Sequence, residues 1–415
     1  MQKTPKGFRL HIGIFGRRNV GKSSLLNALT QQKVAIVSEI AGTTTDPIEK
    51  PMELLPVGPV LFIDTAGIDD EGLLGQKRIE QTRKIFDRTN LAILVITANN
   101  WNQFEEELIA EFQRRAIPVI VVMNKIDLFE PDGKLVEKLA GLNHPLIKTV
   151  ATDNRGILNL KEAIIRQTPV DIINNPVIVG DLINPGDLIV LVVPIDKEAP
   201  KGRLILPQVQ TIRDILDNGA CNLVVREREL KHAFEKLKTK PAMVITDSQV
   251  FQQVAAETPD DIRLTSFSIL FARLKGNLNE FVRGTIVVDS LKTGDQVLIA
   301  EACTHHPIED DIAMVKIPRW LNQYTGSKIS FNYCRGHDFP ADLEKYKLII
   351  LCGSCMFNRR EVLSRIMHAQ RVGVPITNYG LIIAYSRGIF ERALSPFPAA
   401  LSLYRKLRGK GVSKR

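Results

Sequence analysis

Residues 16–23 read Gly16-Arg17-Arg18-Asn19-Val20-Gly21-Lys22-Ser23, the full G-x-x-x-x-G-K-S/T spacing of a phosphate-binding loop. The glycines let backbone N–H groups turn inward around phosphate oxygens, and a helix N-terminus behind them adds a positive dipole end. Lys22 is the residue to reach the β- and γ-phosphates as a catalytic cation, Ser23 the one to hold Mg²⁺, and Val20 and Ser24 complete the cradle. The apolar run Leu10–Phe15 before the loop and Leu25, Leu26 and Leu29 after it predict the strand–loop–helix context that the chemistry needs.

Three further strings follow in a fixed order. Gly42-Thr43-Thr44-Thr45-Asp46 is a polar loop in which Thr44 can add a hydroxyl to Mg²⁺ and sense the γ-phosphate. Val60 to Ile63 predicts a strand ending in Asp64-Thr65-Ala66-Gly67, which places a carboxylate near Mg²⁺ and the Gly67 N–H near the γ-phosphate. Ile117 to Met123 predicts another strand, ending in Asn124-Lys125-Ile126-Asp127. Asp127 can accept two hydrogen bonds from the Watson–Crick edge of guanine, which adenine cannot offer. The stem of Lys125 can cover the base, and the Ala151 N–H stands where guanine O6 would lie.

This block resembles the G domain of the TrmE–Era–EngA-like GTPases over roughly the first 170 residues. The resemblance implies GTP and Mg²⁺ as cofactors, and a potassium ion beside the phosphates held with the help of Asn19. Ile68 occupies the position where Ras-type enzymes place the water-orienting Gln. With no evident arginine finger either, slow intrinsic hydrolysis is expected, and the cation would supply the missing positive charge.

A second chemistry is spelled by the cysteines. Cys303-Thr304-His305-His306 follows a predicted strand, Gln296 to Ala300, and Cys352-Gly353-Ser354-Cys355 follows another, Leu348 to Leu351. Two thiol groups at the C-terminal ends of parallel strands face one sheet edge, where such sheets gather ligands. The set suits a Cys₃His zinc site, a [4Fe–4S] cluster with an open fourth position, or a redox pair of Cys352 and Cys355; residue chemistry alone leaves these open. Cys334 is read as a spare thiol and Cys221 as a core thiol of an apolar strand.

The elements that position these groups predict an α/β chain of three domains. A Ras-like P-loop GTPase domain spans 1–170, and two smaller parallel-sheet α/β domains span 175–262 and 263–398. The middle one carries no catalytic cluster and reads as an interaction module with open sheet edges. Residues 399–415 read as a solvated basic tail: the last twelve residues hold six of the nine net positive charges and no acid. The near-neutral remainder argues against nucleic-acid binding. The absence of an apolar stretch near the ~20 residues of a membrane span argues against a membrane protein, and with no secretory h-region a cytoplasmic location is expected.

Taken whole, the G domain, the motif-free middle domain and Cys-x-His followed by Cys-x-x-Cys resemble the [FeFe]-hydrogenase maturation GTPases. The resemblance includes Val192-Val193-Pro194-Ile195-Asp196-Lys197-Glu198-Ala199-Pro200-Lys201-Gly202-Arg203. It implies a homodimer formed by the middle domain and a [4Fe–4S] cluster on Cys303, Cys352 and Cys355, with His305 as a candidate fourth ligand. It also implies a scaffold that carries a di-iron precursor from two radical-SAM maturases to apo [FeFe]-hydrogenase. Leu351 stands where that family often has His before Cys-x-x-Cys. The competing expectation is a tRNA-modification or ribosome-assembly GTPase with a structural zinc.

Overall fold

The computed structural model describes residues 5–30, 48–54, 57–65, 84–98, 100–142, 144–169, 177–195, 204–302 and 311–412. The chain divides into two compact units, Met1–Pro176 and Val177–Arg415.

The first unit is one six-stranded sheet in the order β2-β3-β1-β4-β5-β6. Its strands are β1 (Leu10–Phe15), β2 (Ile48–Leu54), β3 (Gly58–Asp64), β4 (Leu91–Thr97), β5 (Val119–Asn124) and β6 (Leu146–Lys148). All neighbours run parallel except β2, which is antiparallel to β3. Its helices are α1 (Lys22–Thr30), α2 (Gln103–Arg114), α3 (Gly133–Gly141) and α4 (Ile157–Gln167). β1 and β5 are buried along their whole length, as expected of central parallel strands covered on both faces. Fully burying each such Val, Leu or Ile contributes about 1.5–3 kcal/mol before entropy is counted. On one face Phe15 stacks on Phe86 at 4.8 Å, and both meet Phe112 edge-on. β2 tolerates Pro51 because it is an edge strand, where a missing N–H costs no central ladder bond.

The second unit contains two four-stranded parallel sheets. The first, β10-β9-β7-β8, is built from β7 (Leu188–Val192), β8 (Cys221–Val225), β9 (Met243–Thr246) and β10 (Arg263–Ser266). It carries α5 (Leu206–Asp217), α6 (Leu230–Lys236) and α7 (Phe251–Glu257). After α8 (Phe267–Lys275) and α9 (Leu278–Ile286) comes the other sheet, β12-β11-β13-β14. Its strands are β11 (Gln296–Glu301), β12 (Ser330–Arg335), β13 (Leu348–Leu351) and β14 (Ile376–Asn378). It carries α10 (Ile317–Thr325), α11 (Arg359–Arg371), α12 (Tyr379–Ser386), α13 (Phe390–Ala393) and α14 (Pro398–Val412). α8 packs against α5 and β10 of the first sheet and against α11 and β14 of the second.

Three expectations change. The boundary expected at 262/263 falls inside a sheet, because Arg263–Ser266 pairs with β9. Cys221 is exposed rather than in the core, since β8 is an edge strand with no buried residue. The basic stretch from 398 to 412 is helical, not a free tail. Ala400 and Tyr404, four residues apart, are buried, while Arg405, Lys406 and Arg408 face outward. The charge run is thus the solvated face of an amphipathic helix.

Candidate functional site

In the first unit the six residues between β1 and α1 turn tightly. Gly16 and Gly21 adopt φ of 138° and 94°. A Cβ at either would lie 2.3 Å from a neighbour, the Val95 carbonyl oxygen or Asn124 Nδ2, so only glycine fits. Asn19, at φ 62°, takes the left-handed conformation that asparagine tolerates. Arg17 is drawn away from the loop: its Nε donates to Glu105 Oε1 at 2.7 Å, and its guanidinium lies over the Phe104 ring. The buried Lys22 ammonium donates to the Gly16 and Arg17 carbonyl oxygens at 2.9 and 2.7 Å. Ser24 is exposed on the first turn of α1.

Ser23 Oγ donates to Asp64 Oδ2 at 2.7 Å, while Asp64 Oδ1 is buried without a hydrogen-bond partner. Desolvation pushes the Asp64 carboxyl up, against the pull of the Ser23 hydroxyl and of the Lys22 and Lys50 ammonium groups. A buried carboxylate oxygen lacking a donor is costly unless a cation faces it. Ser23 and Asp64 therefore offer the hard oxygens that Mg²⁺ takes.

The end of β5, where base-reading residues are expected, is tied to this loop. Asn124, fully buried, donates from Nδ2 to the Val20 carbonyl oxygen at 3.0 Å. Its Oδ1 accepts from Thr149 Oγ1 at 3.1 Å and from the Ala151 N–H at 3.2 Å. That N–H, expected at guanine O6, is thus directed at Asn124. Lys125 Nζ donates to the Asn19 carbonyl oxygen at 2.7 Å, and Asp127 is exposed nearby in sequence. Thr149 was not singled out from the sequence; a lone threonine at a strand end carries no signal. Thr44 and Gly67 lie outside the described residues.

In the second unit β11 and β13 are adjacent and parallel, with Ala300 opposite Leu351. Their C-terminal ends therefore leave the sheet side by side. The Ala302 N–H donates to Cys352 Sγ at 3.1 Å, and the Ser354 N–H donates to the same sulfur at 3.4 Å. Backbone N–H donors on a ligand sulfur are a feature of iron–sulfur sites. Ser354 holds a left-handed φ of 51°, which turns the chain back toward its own thiol. Asn358 then caps α11. Desolvation and the neighbouring Cys355 push the Cys352 thiol up to about 11, against the two N–H donors. Desolvation also raises Cys355. A bound metal would replace both protons. Among the described residues no group of three or more His, Cys, Asp or Glu is set to hold a metal ion. Cys303, His305 and His306 lie outside them. The four described cysteines, Cys334 included, form no disulfide. Leu351 is buried.

Lys275 was also missed. It is 3 % exposed and donates from Nζ to the Cys355 carbonyl oxygen at 3.3 Å and to that of Phe357.

A Ras-like sheet with a phosphate loop between β1 and α1, and Ser23 bonded to Asp64 beside it, makes the first unit a P-loop GTPase domain. Residues 11–125 match the family model described as 50S ribosome-binding GTPase. Residues 178–276 match the hydrogen maturase F dimerization domain and residues 279–396 the hydrogen maturase F tetramerization domain, together more than half of the chain. The chain belongs to the hydrogen maturase F family.

It is 34% identical over 193 residues to GTPase Der of Wolinella succinogenes, covering 42% of this chain and 41% of that protein. It is 38% identical over 157 residues to the tRNA modification GTPase MnmE of Exiguobacterium sibiricum, covering 37% and 34%. The chain thus spans less than half the length of these curated relatives. Among solved structures, the G domain of the T. maritima FeoB iron transporter is 26% identical with a TM-score of 0.31, covering 39% of this chain and 99% of that one. Aquifex aeolicus Era bound to GDP·AlF4⁻ is 20% identical with a TM-score of 0.35, covering 54% and 97%. Among the described residues no helix is long and apolar enough to cross a membrane.

Proposed function

We propose that this protein is a GTP-hydrolysing scaffold for [FeFe]-hydrogenase maturation. It binds a [4Fe–4S] cluster through Cys303, Cys352 and Cys355 and hands a di-iron precursor, received from two radical-SAM maturases, to the apo-hydrogenase. The observation that carries the reading is the Ala302 N–H on Cys352 Sγ: the residue before Cys303 is hydrogen-bonded to the sulfur of the Cys-x-x-Cys turn. Membership of the hydrogen maturase F family supports the same assignment.

The residues have distinct tasks. Gly16, Val20, Gly21, Lys22 and Ser24 hold the phosphates. Ser23, Thr44 and Asp64 hold Mg²⁺, Asn19 helps to hold K⁺, and Asn124, Lys125, Asp127 and Ala151 read guanine. When bound, the cluster supplies an anchoring iron for the precursor, and His305 or an exchangeable ligand completes it. The dimer named in the family description is supported by the exposed edge strand β8, with Val224 on it and Val209 and Leu216 on α5 exposed as well.

The test is metal and sulfide analysis of the anaerobically purified protein. Iron with acid-labile sulfide supports the proposal. Zinc alone supports a structural site in a tRNA-modification or ribosome-assembly GTPase, and no metal supports a thiol redox pair; either result overturns it.

A further inference from the structure

We propose that Lys275 is a positioning residue of the thiolate site: its ammonium clamps the turn from Cys352 to Phe357 and supplies the buried positive charge that a cluster on Cys303, Cys352 and Cys355 calls for. The inference rests on the iron–sulfur reading above and deepens it.

Lysine is almost never fully buried unless its charge is answered. Lys275 is the last residue of α8, and a cation there reads locally as a partner of the helix dipole. Its Nζ instead reaches across the chain to the carbonyl oxygens of Cys355 and Phe357, which flank Met356. Two bonds from one rigidly held ammonium fix the plane of that turn. Arg359 reinforces the junction by donating to the Leu274 carbonyl oxygen at 2.6 Å. α8 itself is anchored at its other end, where Ser268 Oγ accepts from the Gly380 N–H at 3.1 Å.

The charge argument is separate. Lys275 lies within electrostatic reach of Cys355, Glu361 and Cys352. Glu361 already pairs with the buried Arg365 and with His337. A cubane held by three thiolates is net anionic, and becomes more so on one-electron reduction. Hydrogen bonds to the sulfurs and the net charge of the surroundings are the levers that set such a potential. A buried ammonium beside such a cluster favours the reduced state.

The experiment uses the full-length protein reconstituted anaerobically with iron and sulfide, then titrated with dithionite and followed by electron paramagnetic resonance. Lys275→Met keeps the aliphatic stem and removes both donors and charge; it is expected to shift the reduction potential to a more negative value. Lys275→Arg, which keeps the charge, is expected to stay near wild type. In the metal-free proteins, amide hydrogen exchange across residues 353–357 should quicken in Lys275→Met. A fully loaded Lys275→Met with wild-type potential and wild-type exchange overturns the proposal. Should Lys275→Met fail to fold, Lys275→Arg decides: a potential displaced to a more negative value overturns the charge role. Wild-type protein that takes up neither iron nor sulfide overturns the iron–sulfur reading instead. Exchange of the turn then still reports on the clamp.

Discussion

The phosphate loop and the thiol turn occupy the same place in their respective sheets, at the C-terminal end of a buried parallel strand, and each is held by donors from a neighbouring element, yet they present opposite chemistry. The phosphate loop is held by Lys22, which donates to Gly16 and Arg17, and from the end of β5 by Lys125 on Asn19 and Asn124 on Val20. Its side chains are cations and amides whose donors rest on backbone carbonyl oxygens of the loop. The thiol turn gathers soft acceptors and is held by its own Ser354 amide, by the Ala302 amide just after β11 and by the Lys275 ammonium from α8. The first set of residues suits an anion, and under the proposed cluster assignment the second suits a cation. That difference follows from residue type alone, since both strands would present either set equally well.

If the two sites are separate, breaking one spares the other. The largest effect belongs to Cys352→Ser, which should lose most iron and sulfide while nucleotide affinity stays at wild type. A parallel fall in GTP affinity would break the comparison. Asp127→Asn is the reciprocal case. It should weaken GTP by roughly 3–6 kcal/mol, since two charge-assisted hydrogen bonds go, and gain xanthosine triphosphate, with iron content unchanged. Isothermal titration with both nucleotides checks it, and unaltered GTP binding would sink the role of Asp127.

Acid separates the units next. His11 is fully buried, its Nε2 at 3.0 Å from the Lys6 carbonyl oxygen, and desolvation lowers it to about 3. Between pH 6.5 and about 3 the unfolded chain binds a proton that the folded one refuses, so stability rises with pH through that window and is lost on acidification. From pH 7 to 5 the first unit should lose about 2 kcal/mol, and His11→Gln should flatten the dependence. Denaturant melts resolved for the two units measure it; equal slopes in wild type and variant would refute it. The smallest expected effect is a few-fold faster GTP hydrolysis in K⁺ than in Na⁺, lost in Asn19→Ala. Equal rates in both salts would remove Asn19 from the cation site.

The order of the nucleotide motifs and their placement at strand ends were readable because each central strand is a continuous apolar run closed by a polar string. Less legible were elements whose pattern is shared with loops. β2 contains Pro51 and alternates with charged residues, β12 is half exposed, and β10 and β14 are four and three residues long. Cys221 was misread because an apolar run says strand without saying edge or centre. Lys275 closes the apolar run Phe267–Leu274, and its partners lie some eighty residues downstream. No local pattern carries such a contact.

The pairing of Ala300 with Leu351 also orders events in time. The stretches bearing Cys303 and Cys352 are far apart in sequence, and the β11–β13 ladder is what brings their ends together. In a zinc finger the metal nucleates a chain that cannot fold without it. Here the frame is a hydrophobic sheet whose core residues Leu298, Ile299, Ile349 and Ile350 are fully buried. Such a sheet is expected to fold from its own apolar residues. Protein made without iron should form the same sheet and take up iron and sulfide when they are added, as the proposed carrier role requires.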